Sequence, residues 1–335
     1  MSTFTSIEAF ILQQQANGIA FEYACAAALK NRLSARRFNA AHLETDAFRT
    51  AARRFSELSI SNQNLFRRAA GAGVRVLENL EPNLRTSAHV SDRYVVKIQA
   101  DVEGESGDVR DVLVNKESGW QIGFSIKHNN DATKHSRLSG TIDFGKVWLD
   151  RNCDAEYFRA VNVAFDELEA FARIGAHWDS LGISTEEKAK QFYRPVLEAF
   201  LAQLERFITR DAGVPAKLFR YLIGKKDFYK VMAATSEETT TVEVYSFDGT
   251  LGQAAAPGDL QPTRNIPRLN VPTKITAKDL KASSDNTIII RFDEGWAVSL
   301  RLHNASSRIE PSLKLDVRLT AAPATLLKIV ERWSA

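Results

Sequence analysis

The sequence reads GDVRDVLV at residues 107–114 and WQIGFSIK at residues 120–127, and these two segments decide the predicted fold. In the second segment, apolar residues at the even positions alternate with polar or small residues at the odd positions, which is the two-residue period of a β-strand. Turn-forming residues separate this segment from its neighbours. We therefore expect three strands joined by hairpins over the range Arg93–His128.

The chain on either side of these strands has the pattern of helices. Residues 1–80 contain no proline and repeat apolar residues at the three- and four-residue spacing of amphipathic helices. Residues 155–209 show the same spacing. Within them, Ser184 and Glu187 match the capping box that starts a helix, and Pro195 is expected to kink or split the helix that follows.

The C-terminal part of the chain returns to the strand pattern. Apolar and polar residues alternate over the ranges Thr287–His303 and Ser312–Leu319. The order is therefore helices, strands, helices and a β-rich tail. This order predicts a mixed α/β (α+β) fold with helical N-terminal and middle segments and a β-rich C-terminal region.

The composition limits the classes of function. Of the 335 residues, 44% are hydrophobic and 25% are charged, which excludes a disordered or fibrous chain. A net charge of +3 permits a nucleic-acid partner without arguing for one, because such binding depends on clustered basic residues rather than on the total. Two cysteines outside any C-x-x-C pair, no signal-peptide pattern and no long apolar run lead us to expect a cytoplasmic protein without a membrane span.

The polar face of the central hairpin is a candidate site for metal-assisted hydrolysis. The two-residue period puts Ser125 and Lys127 on one face of their strand, where the preceding strand is expected to bring Asp111 beside Lys127. A carboxylate can hold Mg²⁺, which polarises a phosphate and lowers the pKa of a bound water, and a lysine can stabilise the developing charge. The alternative interpretation is an exposed cross-strand ion pair.

The spacing of Asp111 and Ser125-x-Lys127 resembles the motif of PD-(D/E)XK nucleases. That superfamily usually has Asp or Glu two residues before the lysine, where this chain has Ser125. The resemblance implies that Asp111, Lys127 and Asp108 are catalytic. It also implies that Asp111 holds the metal ion together with Asp108 or Glu22.

Three longer segments resemble type II restriction endonucleases of the HaeIII family: GIAFEYA at 18–24, FSIKHNNDATKHSRLS at 124–139 and RLHNASSRIEPSLKLD at 301–316. The resemblance implies a restriction-modification enzyme that cuts double-stranded DNA at a short GC-rich site such as GGCC. It implies Mg²⁺ as the cofactor, with Mn²⁺ as a substitute, and a homodimer on a palindromic site, a monomer being the alternative. It implies a PD-(D/E)XK-like catalytic domain with helical insertions in residues 1–230 and a β-rich DNA-recognition region in residues 231–335.

Two segments carry side chains suited to contacts with DNA. A donor-rich loop is expected directly after Lys127, and the two C-terminal strands, if they pair, present Arg301, His303, Lys314 and Arg318 on one face. A solvated loop and the solvated face of an ordinary sheet are the alternatives. A zinc site is disfavoured, because no third ligand accompanies the two histidines of the loop. The predicted DNA-binding residues are His128, Asn129, Lys134, His135, Arg137, Arg301, His303, Asn304, Arg308 and Lys314.

Other classes of function stay open at this level. Ser125, in place of the expected acid, is compatible with a DNA-binding protein whose nuclease core has degenerated. A nuclease that requires methylated cytosine is a further alternative. A scaffold without a nucleic-acid partner would show no salt-sensitive retention of DNA.

Overall fold

The computed structural model describes residues 4–86, 92–100, 107–129, 132–254 and 260–334, with side chains from residue 13 onward. Helices and two β-sheets are combined in these ranges, so the predicted mixed α/β class is confirmed. The helices are Phe4–Ala35 (α1), Asp46–Ser56 (α2), Ile60–Leu80 (α3), Phe144–Leu149 (α4), Ala155–Arg173 (α5), Thr185–Lys188 (α6), Arg194–Arg210 (α7) and Val214–Ile223 (α8). The strands are Asn39–His42 (β1), Arg93–Ile98 (β2), Val112–Lys116 (β3), Gln121–His128 (β4), Lys134–Ser139 (β5), Phe228–Ala234 (β6), Thr239–Tyr245 (β7), Ile275–Leu280 (β8), Thr287–Phe292 (β9), Ala297–His303 (β10), Ser312–Ala321 (β11) and Leu327–Arg332 (β12).

The first sheet has seven strands in the order β1-β2-β3-β4-β6-β7-β12. Strands β2, β3 and β4 are antiparallel neighbours, which confirms the three strands predicted from the central segments. Strand β4 also pairs in parallel with β6 and therefore lies inside the sheet. Helices α1 and α3 contribute to the hydrophobic core of this sheet, where Phe21 and Leu77 belong to the same buried cluster as Phe124.

The helices of the N-terminal part begin where side chains can cap them. The Thr45 hydroxyl accepts the backbone N–H of Phe48 at the start of α2, and the Ser59 hydroxyl accepts the backbone N–H of Asn62 at the start of α3. The predicted helices are confirmed with one exception. The short strand β1 interrupts them and pairs in parallel with β2, a long-range contact that its four residues do not reveal.

The middle helices follow the two local signals in the sequence. Ser184 and Glu187 form the predicted capping box at the start of α6. A π-helical turn, Ala189–Tyr193, joins α6 to α7, and Pro195 lies in the first turn of α7, where its missing N–H costs no helical hydrogen bond. The predicted interruption is therefore confirmed. Within the ranges given above, no helix has the length and apolar character needed to cross a membrane.

The second sheet has five strands in the order β5-β11-β10-β9-β8. The predicted pairing of β10 with β11 is confirmed, but the prediction of a loop after Lys127 is wrong for residues 134–139, which form the edge strand β5. Leu138 of β5 and Leu315 of β11 belong to one buried cluster with Phe200 of α7. The middle helices thus cover the inner face of this sheet.

The two sheets are interleaved along the chain. Strand β5 belongs to the second sheet although it directly follows β4, and β12, near the C-terminus, belongs to the first. The predicted boundary between residues 230 and 231 falls inside β6. The division into a catalytic domain and a DNA-recognition region stays a prediction. Strand β4 ends at His128 in the first sheet, and β5 begins at Lys134 in the second.

Candidate active site

Asp111 and Lys127 lie next to each other at the β3–β4 hairpin, as the two-residue period predicted. The Asp111 backbone N–H donates to the carbonyl oxygen of Phe124 at 2.7 Å, which continues the antiparallel ladder by one residue. This register places the lysine Nζ 3.1 Å from Asp111 Oδ2. The predicted juxtaposition is confirmed, whereas the catalytic roles of the two residues remain predictions.

The surroundings of Asp111 differ from those of an exposed ion pair. The side chains of Asp111 and Lys127 are only 26% and 19% exposed. Asp111 Oδ2 also accepts the backbone N–H of Ile126 at 2.6 Å and lies 3.4 Å from the hydroxyl of Ser125. Among the residues whose contacts are described, the hydrogen bonds to this carboxylate all reach Oδ2 and fix its orientation. The two side chains therefore form a partly buried pair, unlike the exposed cross-strand ion pair of the alternative interpretation.

Ser125, which stands where the superfamily has an acid, is buried beside Asp111. It is 1% exposed because β4 is covered on both faces. A second carboxylate there would be buried beside Asp111, and two like charges at that distance raise each other's free energy. The serine hydroxyl instead lies within hydrogen-bond distance of Asp111. A second acidic ligand must therefore come from another element.

Glu22 approaches the hairpin from helix α1. It lies one helical turn before Cys25, whose thiol is buried. Burial raises the pKa of Cys25 well above its usual range, and the charges of Glu22 and Asp111 raise it further. Both carboxylates are thus close enough to the same buried thiol to raise its pKa. The role of Glu22 as a metal ligand stays a prediction.

Asp108 is held by basic side chains instead. Nε and Nη2 of Arg110 donate to its two carboxylate oxygens at 2.7 and 2.6 Å, and Lys226 Nζ lies 3.6 Å away. Burial favours the neutral acid, but the hydrogen bonds and charge of Arg110 outweigh it and keep the pKa of Asp108 below its usual value. A metal ion would have to displace this bidentate pair. The geometry therefore favours Glu22 over Asp108 as the second carboxylate.

The donor set at the hairpin fits Mg²⁺ better than zinc. In the described ranges, no group of three or more His, Cys, Asp and Glu residues could hold a metal ion by itself. Mg²⁺ usually keeps several waters and binds through one or two carboxylates plus substrate phosphates. Asp111 and Glu22 could supply the two carboxylates. His128 and His135, the two histidines considered as zinc ligands, lie on strands of different sheets.

Two of the predicted DNA contacts are buried and need correction. His128 packs its ring against Phe66, with ring centroids 4.6 Å apart, and Nε2 lies 3.1 Å from the Thr235 hydroxyl. Burial lowers the pKa of His128. Lys134 is 6% exposed and places its Nζ 3.6 Å from the centre of the Tyr221 ring. Both side chains lie on the inner faces of their strands and are buried against neighbouring elements.

Two more predicted contacts hold loops together. Asn129, with φ of +49°, accepts the backbone N–H of Thr235 at 3.0 Å and thereby joins the ends of β4 and β6. The side-chain oxygen of Asn304 lies 3.2 Å from Lys188 Nζ and 3.1 Å from the Tyr193 hydroxyl. The sequence reasoning missed Lys188 and Tyr193, although the proline-interrupted helix could have drawn attention to the π-helical turn that carries Tyr193.

The remaining predicted contacts share the outer face of the second sheet. The register pairs Ser299 with Arg318, Arg301 with Asp316, and His303 with Lys314, and β5 adds a further row beside β11. Arg308 is exposed in the loop between β10 and β11. Asp316, an acid in the centre of this face, was not predicted as a site residue. The outer face carries His135, Arg137, Arg301, His303, Lys314 and Arg318.

Comparisons with known proteins agree with this arrangement. A family model described as HaeIII restriction endonuclease matches residues 18–323. The protein named Type II restriction enzyme HaeIII, from Haemophilus aegyptius, is 34% identical over 319 residues, which cover 95% of this chain and 97% of that protein. No solved structure matches the chain significantly. The match therefore includes both the hairpin with Asp111 and Lys127 and the outer face of the second sheet.

Proposed function

The chain belongs to the HaeIII restriction endonuclease family and is a type II restriction endonuclease, and from this premise we propose that Asp111 and Lys127 form its catalytic pair. The substrate is double-stranded DNA, cut at a GGCC or closely related site as part of restriction-modification in the cytoplasm. The observation that carries the proposal is the 3.1 Å contact between Lys127 Nζ and the partly exposed Asp111 carboxylate.

The first sheet with α1 and α3 is, in this proposal, a PD-(D/E)XK catalytic core. Three features support the assignment: the acid directly before β3, the lysine near the end of β4, and a glutamate on the N-terminal helix whose charge, like that of Asp111, acts on the buried Cys25. These residues are far apart in the sequence. The antiparallel hairpin places the acid beside the lysine, and α1 packs against the same sheet. The second sheet supplies the DNA-recognition surface.

Asp111 and Glu22 would hold Mg²⁺, with Mn²⁺ as a substitute. When bound, the metal ion supplies Lewis-acid polarisation of the scissile phosphate and a water of lowered pKa. The three donors on Asp111 Oδ2 fix the carboxylate so that its other oxygen keeps one direction. This preorganisation avoids reorientation of the ligand during the reaction.

Lys127 has a separate task in the proposed hydrolysis. Water attacks phosphorus, the bond from phosphorus to the 3′-oxygen breaks, and the products are a 5′-phosphate and a 3′-hydroxyl that takes up a proton. The Lys127 ammonium group, held beside Asp111, stabilises the additional negative charge on the phosphate oxygens and helps to orient the attacking water. A homodimer placing two such sites on a palindromic sequence would cut both strands.

The test is cleavage of a plasmid that carries GGCC sites, in Mg²⁺ and in EDTA. We expect Asp111→Ala and Lys127→Ala to lose at least about 100-fold in cleavage rate, because each removes a group that acts on the transition state. Lys328→Ala is the matched control, since Lys328 forms a cross-strand pair with Glu243 in the same sheet but is 57% exposed. Full activity of either active-site variant would refute the assignment.

The same assay separates the remaining alternatives. Failure of the wild-type protein to cut any DNA in Mg²⁺ or Mn²⁺, with retained DNA binding, would indicate a degenerate nuclease core. Parallel digestion of methylated and unmethylated copies of one plasmid separates ordinary cleavage from cleavage that requires methylcytosine. Sedimentation of the protein with a GGCC duplex shows whether two copies bind one site.

A further inference from the structure

Asp316 is an acidic residue at the centre of a basic surface. Its neighbours on the outer face are Arg301 and His303 on β10, His135 and Arg137 on β5, and Lys314 and Arg318 on its own strand. A carboxylate in this place weakens the attraction of the surface for a polyanion. An acid on a proposed DNA-binding face therefore weakens DNA binding unless its contacts with neighbouring side chains serve the binding in another way.

Both oxygens of Asp316 face histidines. His135 Nδ1 lies 2.5 Å from Oδ1, and His303 Nε2 lies 2.9 Å from Oδ2. Lys314 Nζ is 4.0 Å from Oδ1. The Asp316 side chain is only 20% exposed, whereas the His135 side chain is 46% exposed. Burial alone would raise the pKa of Asp316, but the two histidines outweigh it and hold the pKa well below its usual range.

Both ring nitrogens of His303 face oxygen atoms. Its Nδ1 lies 2.8 Å from the backbone carbonyl oxygen of Asn304, which can only accept a hydrogen bond, so Nδ1 carries a proton. Its Nε2 lies 2.9 Å from Oδ2 of the Asp316 carboxylate, without the alignment of a hydrogen bond. Asp316 and Asn304 together therefore hold the His303 ring in one orientation.

His135 is held in a different way. Its Nδ1–H donates to Asp316, which fixes the tautomer and leaves Nε2 on the far side of an exposed ring. When His135 is neutral, Nε2 is an acceptor, and when it is protonated, Nε2 is a donor. Phosphate oxygens and the major-groove edge of guanine present acceptors. Only protonated His135 can therefore donate to either of them.

We propose that Asp316 is a positioning residue of the DNA-binding face, which orients His135 and His303 so that DNA binding takes up a proton at His135. The proposal rests on the proposed function, because it assumes that the outer face of the second sheet binds DNA. The arginines and lysine around the cluster do not titrate near neutral pH and supply attraction independent of pH. The histidines make the remainder of the binding depend on pH.

The test measures the affinity for a GGCC duplex in EDTA by fluorescence anisotropy between pH 5.5 and 8.5. Uptake of one proton strengthens wild-type binding by up to about tenfold for each unit that the pH falls, between the higher pKa of the DNA-bound histidine and the lower pKa of the free one. We expect His135→Gln to bind with little dependence on pH, at about the wild-type affinity of the alkaline limit. Asp316→Asn should flatten the profile as well, because His135 and His303 lose their partner.

The control variant is Arg137→Gln, on the same strand. It should weaken binding by a similar factor at every pH and keep the wild-type slope, because arginine stays charged throughout. A duplex without GGCC separates the two kinds of acceptor: proton linkage on both duplexes indicates a phosphate contact, and linkage on the GGCC duplex alone indicates a base contact.

Two results would overturn the proposal. One is a wild-type affinity that does not change with pH, and the other is a His135→Gln variant that keeps the wild-type profile. Because His135 is exposed, this variant remains informative even if Asp316→Asn fails to fold. Loss of cleavage in the wild-type protein would instead contradict the proposed function, so the two failures are distinguishable.

Discussion

Glu81 is a buried acid whose titration should be visible in the stability of the protein. It follows helix α3 and is 0% exposed. One carboxylate oxygen accepts the Tyr229 hydroxyl at 2.5 Å and the backbone N–H of Gly252 at 2.8 Å. The other oxygen has no hydrogen-bond partner among the residues that the structure describes. Burial outweighs these hydrogen bonds and raises the pKa of Glu81 from 4.5 to about 7.

The direction of the effect follows from the two states of the chain. Below pH 4.5, the carboxyl group is neutral in the folded and unfolded chain, and no penalty arises. Between pH 4.5 and 7, the unfolded chain ionises first, so the free energy of unfolding falls as the pH rises. Between pH 5 and 9, this one group should lower the free energy of unfolding by about 2–3 kcal/mol.

Glu81→Gln removes the titration and keeps the acceptor for Tyr229 and Gly252. The new amide introduces a packing and hydrogen-bonding cost of about 1–3 kcal/mol, but that cost is the same at every pH. Relative to wild type, the variant should therefore gain about 2–3 kcal/mol between pH 5 and pH 9. The difference between the two pH values isolates the charge from the packing.

Urea unfolding at pH 5, 7 and 9 measures this gain directly. Glu117→Gln, in the exposed turn between β3 and β4, is a matched control and should follow the wild-type curve. A constant difference between Glu81→Gln and wild type at all three pH values would show that the folded protein does not disfavour the charged carboxylate, and the reasoning from burial would be refuted.

Two further predictions concern the active site and the DNA-binding face. Glu22→Gln should lower the cleavage rate at least about tenfold and raise the Mg²⁺ concentration needed for half-maximal activity. Asp108→Asn should instead lower the free energy of unfolding by about 1–3 kcal/mol, because it weakens the buried pair with Arg110. The reverse pattern would assign the second metal ligand to Asp108. Lys134→Met should leave the salt dependence of DNA binding unchanged. Arg137→Gln should reduce the slope of log affinity against log salt concentration by about one counterion. Equal slopes for the two variants would contradict the inward orientation of Lys134.

The active-site hairpin could be predicted from sequence because it depends on local rules. A two-residue period, two turns and a short separation in sequence were enough to place Asp111 beside Lys127. The same rules identified the capping box at Ser184 and the interruption at Pro195. Glu22 could be named only through a family resemblance, since nothing local indicates that helix α1 packs its glutamate towards a strand about 90 residues later.

Three of the predicted DNA contacts have packing partners that the sequence does not show. His128, Lys134 and Asn304 have side chains that suit DNA, and the sequence around them is polar. Whether such a side chain meets solvent depends on the element that packs against its strand. Phe66 of α3 covers His128, Tyr221 of α8 lies under Lys134, and Tyr193 holds Asn304. Each of these partners is more than 60 residues away along the chain.

The sequence by itself determined which residues alternate on each strand and therefore which side chains share a face. It also determined the family, through segments distributed over most of the chain. Only the tertiary structure decided that β5 belongs to the second sheet, although it follows β4 of the first, and that Asp316 lies between two histidines. The physical reason is that alternation is a property of the local backbone, whereas burial and charge pairing depend on contacts between distant segments, which form only when the chain has folded.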